Sequence, residues 1–213
     1  MKYHPTPELL IRYSAGSLKP ALSFVVATHV QHCEMCSKQQ QELEQLAAIN
    51  IEQYNNEPLS DASFDQLWQR LDEEEQPDVK SDLNIAVASD EQSELKAILN
   101  GDYEGLEWHS IGAKIKRAAI PVLDDNNLIE VLRFAPNAKI PQHTHKGNEY
   151  TMILEGAYTD ELDEFVVGDF IHLNQDHHHT PVASNKGCVC LAVTDAPMHF
   201  TGLLGPVLNL FSR

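Results

Sequence analysis

Cationic residues are scarce in this sequence. Its 213 residues include 15 Lys and Arg against 32 Asp and Glu, which gives a formal net charge of −17 at pH 7. Nucleic-acid affinity is dominated by contacts from Lys and Arg to phosphate, so this balance argues against a direct nucleic-acid partner. The acidic surface instead suits a basic protein partner.

The sequence also lacks a signal peptide and a long apolar run. Its opening segment, MKYHPTPELL, has no apolar core of the kind that a secretory signal needs. The most apolar run near it, ALSFVVATHV, is far too short to cross a bilayer. We therefore expect a soluble, cytoplasmic protein with no membrane partner.

Cysteine is the third scarce residue, with four in the chain. They lie in two close pairs, Cys33 with Cys36 and Cys188 with Cys190. Two such pairs are not the framework of a disulfide-rich secreted domain. In a reducing compartment they are typical of metal ligands or redox thiols.

The first part of the chain has helical patterning. Residues 1–75 predict a small domain of four helices, the first with Thr6 as N-cap and Pro7 at its opening position. The second starts near Pro20, and the third covers SKQQQELEQLAAINIEQY, with apolar residues at helical spacing. The fourth covers SDASFDQLWQRLDEEEQ, whose apolar stripe consists of Phe64, Leu67, Trp68 and Leu71. A charged linker, residues 76–105, follows and includes a possible short helix.

The apolar pattern changes to a period of two in the second part of the chain. Turn residues separate four segments rich in Val, Ile, Leu, Phe and Tyr: LIEVLRFAPNAKI, NEYTMILEGAYTD, DEFVVGDFIHL and GCVCLAVTDAP. Many short strands with regular turns predict a sandwich or a small barrel over residues 106–198. The tail, residues 199–213, has no assigned structure, and its apolar residues are candidates for packing on the barrel or on a partner.

The segment HVQHCEMC places two histidines and two cysteines within eight positions. His29, Cys33 and Cys36 have the spacing H-x3-C-x2-C, which puts them on one face of a helix. Such ligands suit Zn²⁺, which prefers four tetrahedral Cys and His ligands in structural sites. His4, just before the first helix, is the better candidate for the fourth ligand, because His32 points away from the shared face.

Two other interpretations of this segment remain open. A loose pair of thiols beside surface histidines would need no metal. A thioredoxin-like redox pair is less favoured, because Cys33 and Cys36 do not follow a strand. If four protein side chains hold the metal, no position is open for substrate, which favours a structural or redox-labile clasp over catalysis.

Together with a histidine 25 residues before its first ligand, the spacing H-x3-C-x2-C resembles the zinc-binding anti-sigma domain. The resemblance implies a short helical domain that binds an extracytoplasmic-function sigma factor and keeps it from RNA polymerase. The candidates for the core or the contact surface of such a domain are Leu9, Leu10, Phe64, Leu67 and Trp68. We expect more of them to be core residues than contact residues, because a domain this small has little else to bury.

A second group of candidate ligands lies in PQHTHKGNEYTMILEG. It has the pattern H-x-H-x3-E-x6-G, formed by His143, His145, Glu149 and Gly156. The two histidines are two positions apart on a predicted strand, so both side chains point to one face. The pattern is similar to the first cupin motif. Three histidines and one glutamate inside a barrel would hold Zn, Fe, Mn or Ni.

The third histidine of this site comes from the run DHHHTP. In the second cupin motif it stands eleven residues after a glycine, and counting from Gly168 favours His179. His177 and His178 are its rivals. Asn174 and Asp176 stand where many cupins have Pro and Gly, which leaves the turn geometry, and so this choice, open.

Cys188 and Cys190 alternate in GCVCLAV and share one face of a predicted strand. They are either two small buried residues of the barrel wall or a pair of oxidisable thiols near the metal. A disulfide between two cysteines so placed on one strand would be strained.

A zinc anti-sigma domain followed by a cupin domain resembles the ChrR family of anti-sigma factors, over roughly residues 1–195. The resemblance implies a multidomain α + all-β fold: a four-helix domain that occludes the sigma factor, and a cupin barrel (a double-stranded β-helix or jelly roll). It implies one zinc in each domain, with the cupin domain needed for the response to singlet oxygen or organic hydroperoxides. By position, the first zinc falls to His4, His29, Cys33 and Cys36, and the second to His143, His145, Glu149 and His179.

The alternative is a metal-dependent cupin enzyme with a helical accessory domain. Three histidines and one glutamate also serve cupin dioxygenases and isomerases, where an open metal position activates oxygen or substrate. The barrel alone would suffice for that chemistry and would leave the helical domain unexplained. The sequence therefore favours a regulator and not an enzyme.

Overall fold

The computed structural model describes residues 1–54, 69, 98, 101–120, 128–201 and 205–209. Apart from residue 69, the predicted fourth helix, with Phe64, Leu67 and Trp68, lies outside the described residues. So does nearly all of the predicted linker before residue 101, including its possible short helix.

Three helices form the N-terminal part: α1 (Pro7–Ser14), α2 (Pro20–His32) and α3 (Glu34–Tyr54). As predicted, Thr6 caps α1, because its side-chain oxygen accepts a hydrogen bond from the Leu9 amide at 3.3 Å. Proline begins both α1 and α2, where the missing amide hydrogen would have no partner inside the helix.

A single residue, Cys33, separates α2 from α3. Its backbone is extended, with φ −117° and ψ 105°, and its carbonyl accepts the Ser37 amide at 2.9 Å in the first turn of α3. The prediction that His29, Cys33 and Cys36 share one face of one helix was therefore wrong. They lie on the last turn of α2, at the break and in the first turn of α3, because the chain changes direction at Cys33.

Short strands dominate the rest of the described chain: β1 (His109–Ser110), β2 (Ile115–Ala119), β3 (Leu128–Phe134), β4 (His143–His145), β5 (Glu149–Thr159), β6 (Glu164–Val166), β7 (Phe170–Leu173), β8 (Val182–Thr194) and β9 (Met198–Phe200). A short helix, α4 (Gly205–Leu208), follows them. The four segments predicted as strands contain β3, β5, β6, β7 and most of β8. The sequence analysis missed β1, β2 and β9, which are too short or too polar to show a period of two.

The strands form a β-sandwich of two antiparallel sheets. The larger sheet has the order β1-β2-β3-β8-β5-β6, with β7 paired to β5, and the smaller consists of β4 and β9. Among the described residues the strands do not close into a barrel, which corrects that part of the prediction. An isolated bridge between His143 and His179 brings the smaller sheet against the loop that follows β7.

One hydrophobic core joins the helices to the larger sheet. It contains Leu10 of α1, Val25 of α2, Val131 of β3 and Leu191 of β8, all at most 2% exposed. Full burial of such a side chain contributes about 1.5–3 kcal/mol. Leu9 also belongs to this core, so both described candidates from α1 are core residues.

A second hydrophobic cluster lies within the sandwich. It includes Ile153, Phe165 and Ile171, with Cys188 and Cys190 from β8. The two thiols are 2% and 3% exposed, as small residues of the wall. Among the described residues, no helix is long and apolar enough to cross a membrane.

Gly156, the last residue of the pattern H-x-H-x3-E-x6-G, is required by backbone geometry. Its φ is 68°, and a Cβ there would collide with the carbonyl oxygen of Gly187. Gly112 has a similar φ of 73°, but a Cβ there meets nothing within 4 Å.

We expect Gly156→Ala to destabilise the protein far more than Gly112→Ala. The control incurs only the strain of a left-handed backbone, about 1–2 kcal/mol, whereas Gly156→Ala must also displace the β8 backbone. Denaturant unfolding measures both free energies. Equal losses for the two variants would contradict this account of Gly156.

Candidate metal centres

The first group of candidate ligands assembles where the N-terminal segment meets α2 and α3. Ligand atoms of His4, His29, Cys33 and Cys36 all lie within 4.8 Å of one another. His4 Nδ1 is 3.2 Å from His29 Nε2, 3.4 Å from Cys33 Sγ and 3.5 Å from Cys36 Sγ. A tetrahedral zinc with bonds of about 2.0–2.3 Å separates its ligand atoms by about 3.3–3.8 Å. These four side chains therefore fit one zinc ion, and we name them the first centre.

His29 is oriented by the β-sandwich. Its Nδ1 donates to the carbonyl oxygen of Gly168 at 2.9 Å, which turns Nε2 toward the other ligands. A backbone carbonyl in this role is common behind metal-binding histidines. Burial lowers the pKa of His29 to about 4, so its ring is neutral at pH 7, as a metal ligand must be. His32 lies outside the group; its ring contacts the Thr28 carbonyl.

The Cys36 thiol of the first centre holds its proton when no metal is bound. Burial, and then the hydrogen bond and charge of Cys33, raise the pKa of Cys36 to about 12. A metal ion must therefore displace protons to bind, which makes its affinity fall at low pH.

The second group of candidate ligands lies between the two sheets. Ligand atoms of His143, His145, Glu149 and His179 lie within 4.8 Å of one another. His145 Nε2 is 2.7 Å from Glu149 Oε2 and 3.4 Å from His179 Nε2. The three imidazoles are 1–3% exposed. Three imidazoles and one carboxylate fit Zn or another divalent transition metal, and we name this group the second centre.

Hydrogen bonds behind the second centre fix two of its rings. His143 Nδ1 donates to the Pro141 carbonyl at 2.9 Å, and His179 Nδ1 lies 2.8 Å from Asp160 Oδ2. Each bond leaves Nε2 as the free nitrogen of its ring. Asp160 is the residue that sequence reasoning missed, because its contact with His179 depends on tertiary structure and follows no motif.

Electrostatics gives the second centre the protonation states that metal binding needs. Burial and the nearby His179 lower the pKa of His143 to about 4. Burial alone would raise the pKa of Glu149, but the His145 hydrogen bond and the surrounding histidines lower it to about 2. At pH 7 the group therefore presents a neutral His143 and a carboxylate anion.

The structure distinguishes among the three adjacent histidines. His179 is buried and lies in the second centre. His177 Nδ1 is 2.8 Å from Asn174 Oδ1, and His178 is exposed. The extended backbone around His179 bridges to His143 through two backbone hydrogen bonds of 3.0 and 3.1 Å, and these bring its ring inward.

Strand β9 supports the second centre from the segment to which sequence reasoning gave no structure. Phe200 pairs with His143, and Met198 pairs with His145. Strand β9 thus crosses the predicted boundary between the cupin domain and the tail. The strand is only three residues long, so its pattern gave no signal.

A small pocket with a cavity volume of about 40 Å³, partly open to solvent, adjoins the second centre. Its wall is mostly apolar and includes Leu132, Phe134, Ile140 and Met198, with Cys190 beside them. His143, Glu149 and His179 form its polar side. The pocket therefore suits a small apolar molecule with one group that reaches the metal.

Comparisons with known proteins cover both parts of the chain. Residues 100–198 match the family model described as the ChrR Cupin-like domain. The Anti-sigma-E factor ChrR of Cereibacter sphaeroides is 31% identical over 218 residues, which is 100% of this chain and 99% of that protein. The crystal structure of Rhodobacter sphaeroides SigE in complex with the anti-sigma ChrR matches with a TM-score of 0.70 and 29% identity, over 91% of this chain and 99% of that one.

We expect two equivalents of zinc per chain. Cys36→Ser removes a thiolate of the first centre, and His179→Ala removes a ligand of the second, so each variant should retain about one equivalent. His178→Ala is the matched control for His179 and should retain two. Elemental analysis after gel filtration measures the content, and loss of zinc from the control instead of from His179→Ala would contradict the assignment.

Proposed function

The chain belongs to the ChrR family of anti-sigma factors, and we propose that it binds an extracytoplasmic-function sigma factor and keeps it from RNA polymerase. One observation carries the proposal: the full-length similarity to a chain that was crystallised with its sigma factor. The similarity extends over the helices as well as the sandwich. A regulator therefore accounts for the whole chain, where a cupin enzyme would account for the sandwich alone. Since its target works with RNA polymerase, the protein acts in the cytoplasm.

In this proposal the first centre is a structural zinc site. Four protein ligands complete a tetrahedral shell and leave no position for a substrate. The ion would tie the N-terminal segment to α2 and to the start of α3. It would thereby fix the direction in which α3 leaves the break at Cys33.

Helix α3 supports the proposal with exposed apolar side chains. Leu46 and Ile49 are 58% and 51% exposed, and their spacing of three residues puts both side chains on one face of α3. Ile51 is 67% exposed but lies on a different face. Exposed apolar groups on consecutive turns are typical of an interaction surface. With a net charge of −17, the chain would attract a basic sigma factor to this surface.

The proposal assigns the sensing of oxidants to the second centre. An apolar pocket beside the metal ligands would admit an organic hydroperoxide or dissolved singlet oxygen. The pair Cys188 and Cys190 is less suited to the reaction. The hydrogen bond that the Cys190 thiol donates to Cys188, together with burial, raises the pKa of Cys190 well above its ordinary value, and a neutral thiol is a poor nucleophile.

The α3 surface is tested by binding to a purified extracytoplasmic-function sigma factor of the same organism. We expect Leu46→Asp to weaken the complex by about tenfold or more, since a charge would enter a desolvated apolar contact. Ile111→Asp is the control, because Ile111 is similarly exposed, at 47%, but lies between β1 and β2. Biolayer interferometry measures both affinities. If no sigma factor of this class binds the zinc-loaded native chain, the proposed function is wrong.

Oxidant sensing is tested on the preformed complex with the sigma factor. Addition of an organic hydroperoxide should release the sigma factor from native protein, and His145→Ala should respond much less because its second centre is incomplete. Cys190→Ala should respond as the native protein does. Size-exclusion chromatography over time measures the release. Loss of the response in Cys190→Ala alone would place the chemistry at the thiols instead.

A further inference from the structure

We propose that the turn formed by residues 160–163 links the two metal centres, with Asp160 holding His179 and Asp163 holding the segment that carries His4. The inference rests on the metal centres of the proposed function and adds a physical connection between them.

Asp160 fixes the second centre and the turn with the same carboxylate. Its Oδ2 lies 2.8 Å from His179 Nδ1. Its Oδ1 accepts the amides of Leu162 at 2.8 Å and Asp163 at 3.2 Å. The side chain is fully buried, with 0% exposure. A change in the orientation of the His179 ring therefore acts on the residues that shape the turn.

Asp163, at the other end of the turn, holds the residues just before the first centre. Its carboxylate accepts hydrogen bonds from the Lys2 ammonium and from the Tyr3 hydroxyl. The Tyr3 ring packs on Phe165 with 4.9 Å between centroids. The next residue along the chain is His4, a ligand of the first centre. The turn thus contacts one centre directly and the other through the Tyr3 side chain and the backbone that joins Tyr3 to His4.

The turn between β6 and β7 reinforces this connection. The Asp169 carboxylate accepts the backbone amides of Lys2 at 2.6 Å and Tyr3 at 3.2 Å, and the Gly168 carbonyl accepts His29. Residues 160–169 therefore contact two of the four ligands of the first centre or their immediate neighbours. A turn that only supports the fold would make the same contacts. The proposed link differs from such a turn in one property, which is energetic coupling between the two centres.

Coupling has a measurable consequence, since a metal ion in one centre must then alter the affinity of the other. Cobalt is the probe. In the full chain, only the first centre has thiolate ligands, so the sulfur-to-cobalt charge-transfer band reports that centre alone. Its decay in excess chelator gives the release rate. We expect His145→Ala, which disables the second centre, to speed this release about fivefold or more.

The double variant Lys2→Met with Tyr3→Phe cuts the link without altering any metal ligand. It removes both side-chain donors to Asp163 and keeps the ring that packs on Phe165. In this double variant, cobalt should already leave the first centre rapidly. Adding His145→Ala should then change the release rate less than about twofold, because the coupling is lost. Asp163→Ala cuts the same contact from the other side and should behave alike. Glu164→Gln removes an exposed charge from the neighbouring residue and should leave the native coupling.

Each outcome decides between the proposals. If His145→Ala has no effect in the native background, or the same effect with the link cut, the link is wrong while both metal centres stand. Glu149→Gln provides a second way to weaken the second centre should His145→Ala not fold. If the native chain shows no thiolate band, the first centre is wrong and the link falls with it.

Discussion

The hydrogen bond from His29 to the carbonyl of Gly168 is the constraint on which the arrangement of the whole chain depends. His29 is fully buried on α2, and its acceptor lies in the turn between β6 and β7. The bond fixes which nitrogen of the ring faces His4, Cys33 and Cys36. The geometry of the first centre is consequently a property of the contact between helices and sandwich. Such a small group of helices has too little surface to bury on its own, and the shared core supplies the rest.

Local spacing was enough to select six of the eight side chains that the structure gathers into two groups, whereas His4 was chosen for its place before the first helix. H-x3-C-x2-C and H-x-H-x3-E place several ligand types within a few consecutive residues, so they can be recognised without tertiary structure. The count from Gly168 favoured His179 for the same reason, since a tight turn has a fixed length. Strand positions in β5 and β8 were also predictable, because each alternates apolar residues over many positions.

Features set by contacts distant in sequence were not predictable. The break at Cys33 has no proline or glycine to announce it, and Asp160 differs in no local respect from the other acidic residues of its loop. Strand β9 forms only because β4 offers it a partner. Leu46 and Ile49 illustrate a deeper limit: an apolar stripe has the same period whether the fold covers it or leaves it exposed for a partner.

A regulator that senses at one end and binds at the other needs its parts to form one cooperative unit. The core of this protein meets that need, because α2 packs directly on β5 and β8, and buried residues of α1 and β3 belong to the same hydrophobic cluster. Close-packed interiors transmit small displacements, since side chains cannot move without moving their neighbours. The His179 ring, a candidate metal ligand, is held by the buried Asp160 carboxylate. This contact would direct a displacement of the ring toward the turn that Asp160 shapes. Under the proposed link, a rearrangement at His179 would act through Asp160 on the turn that holds the N-terminal segment.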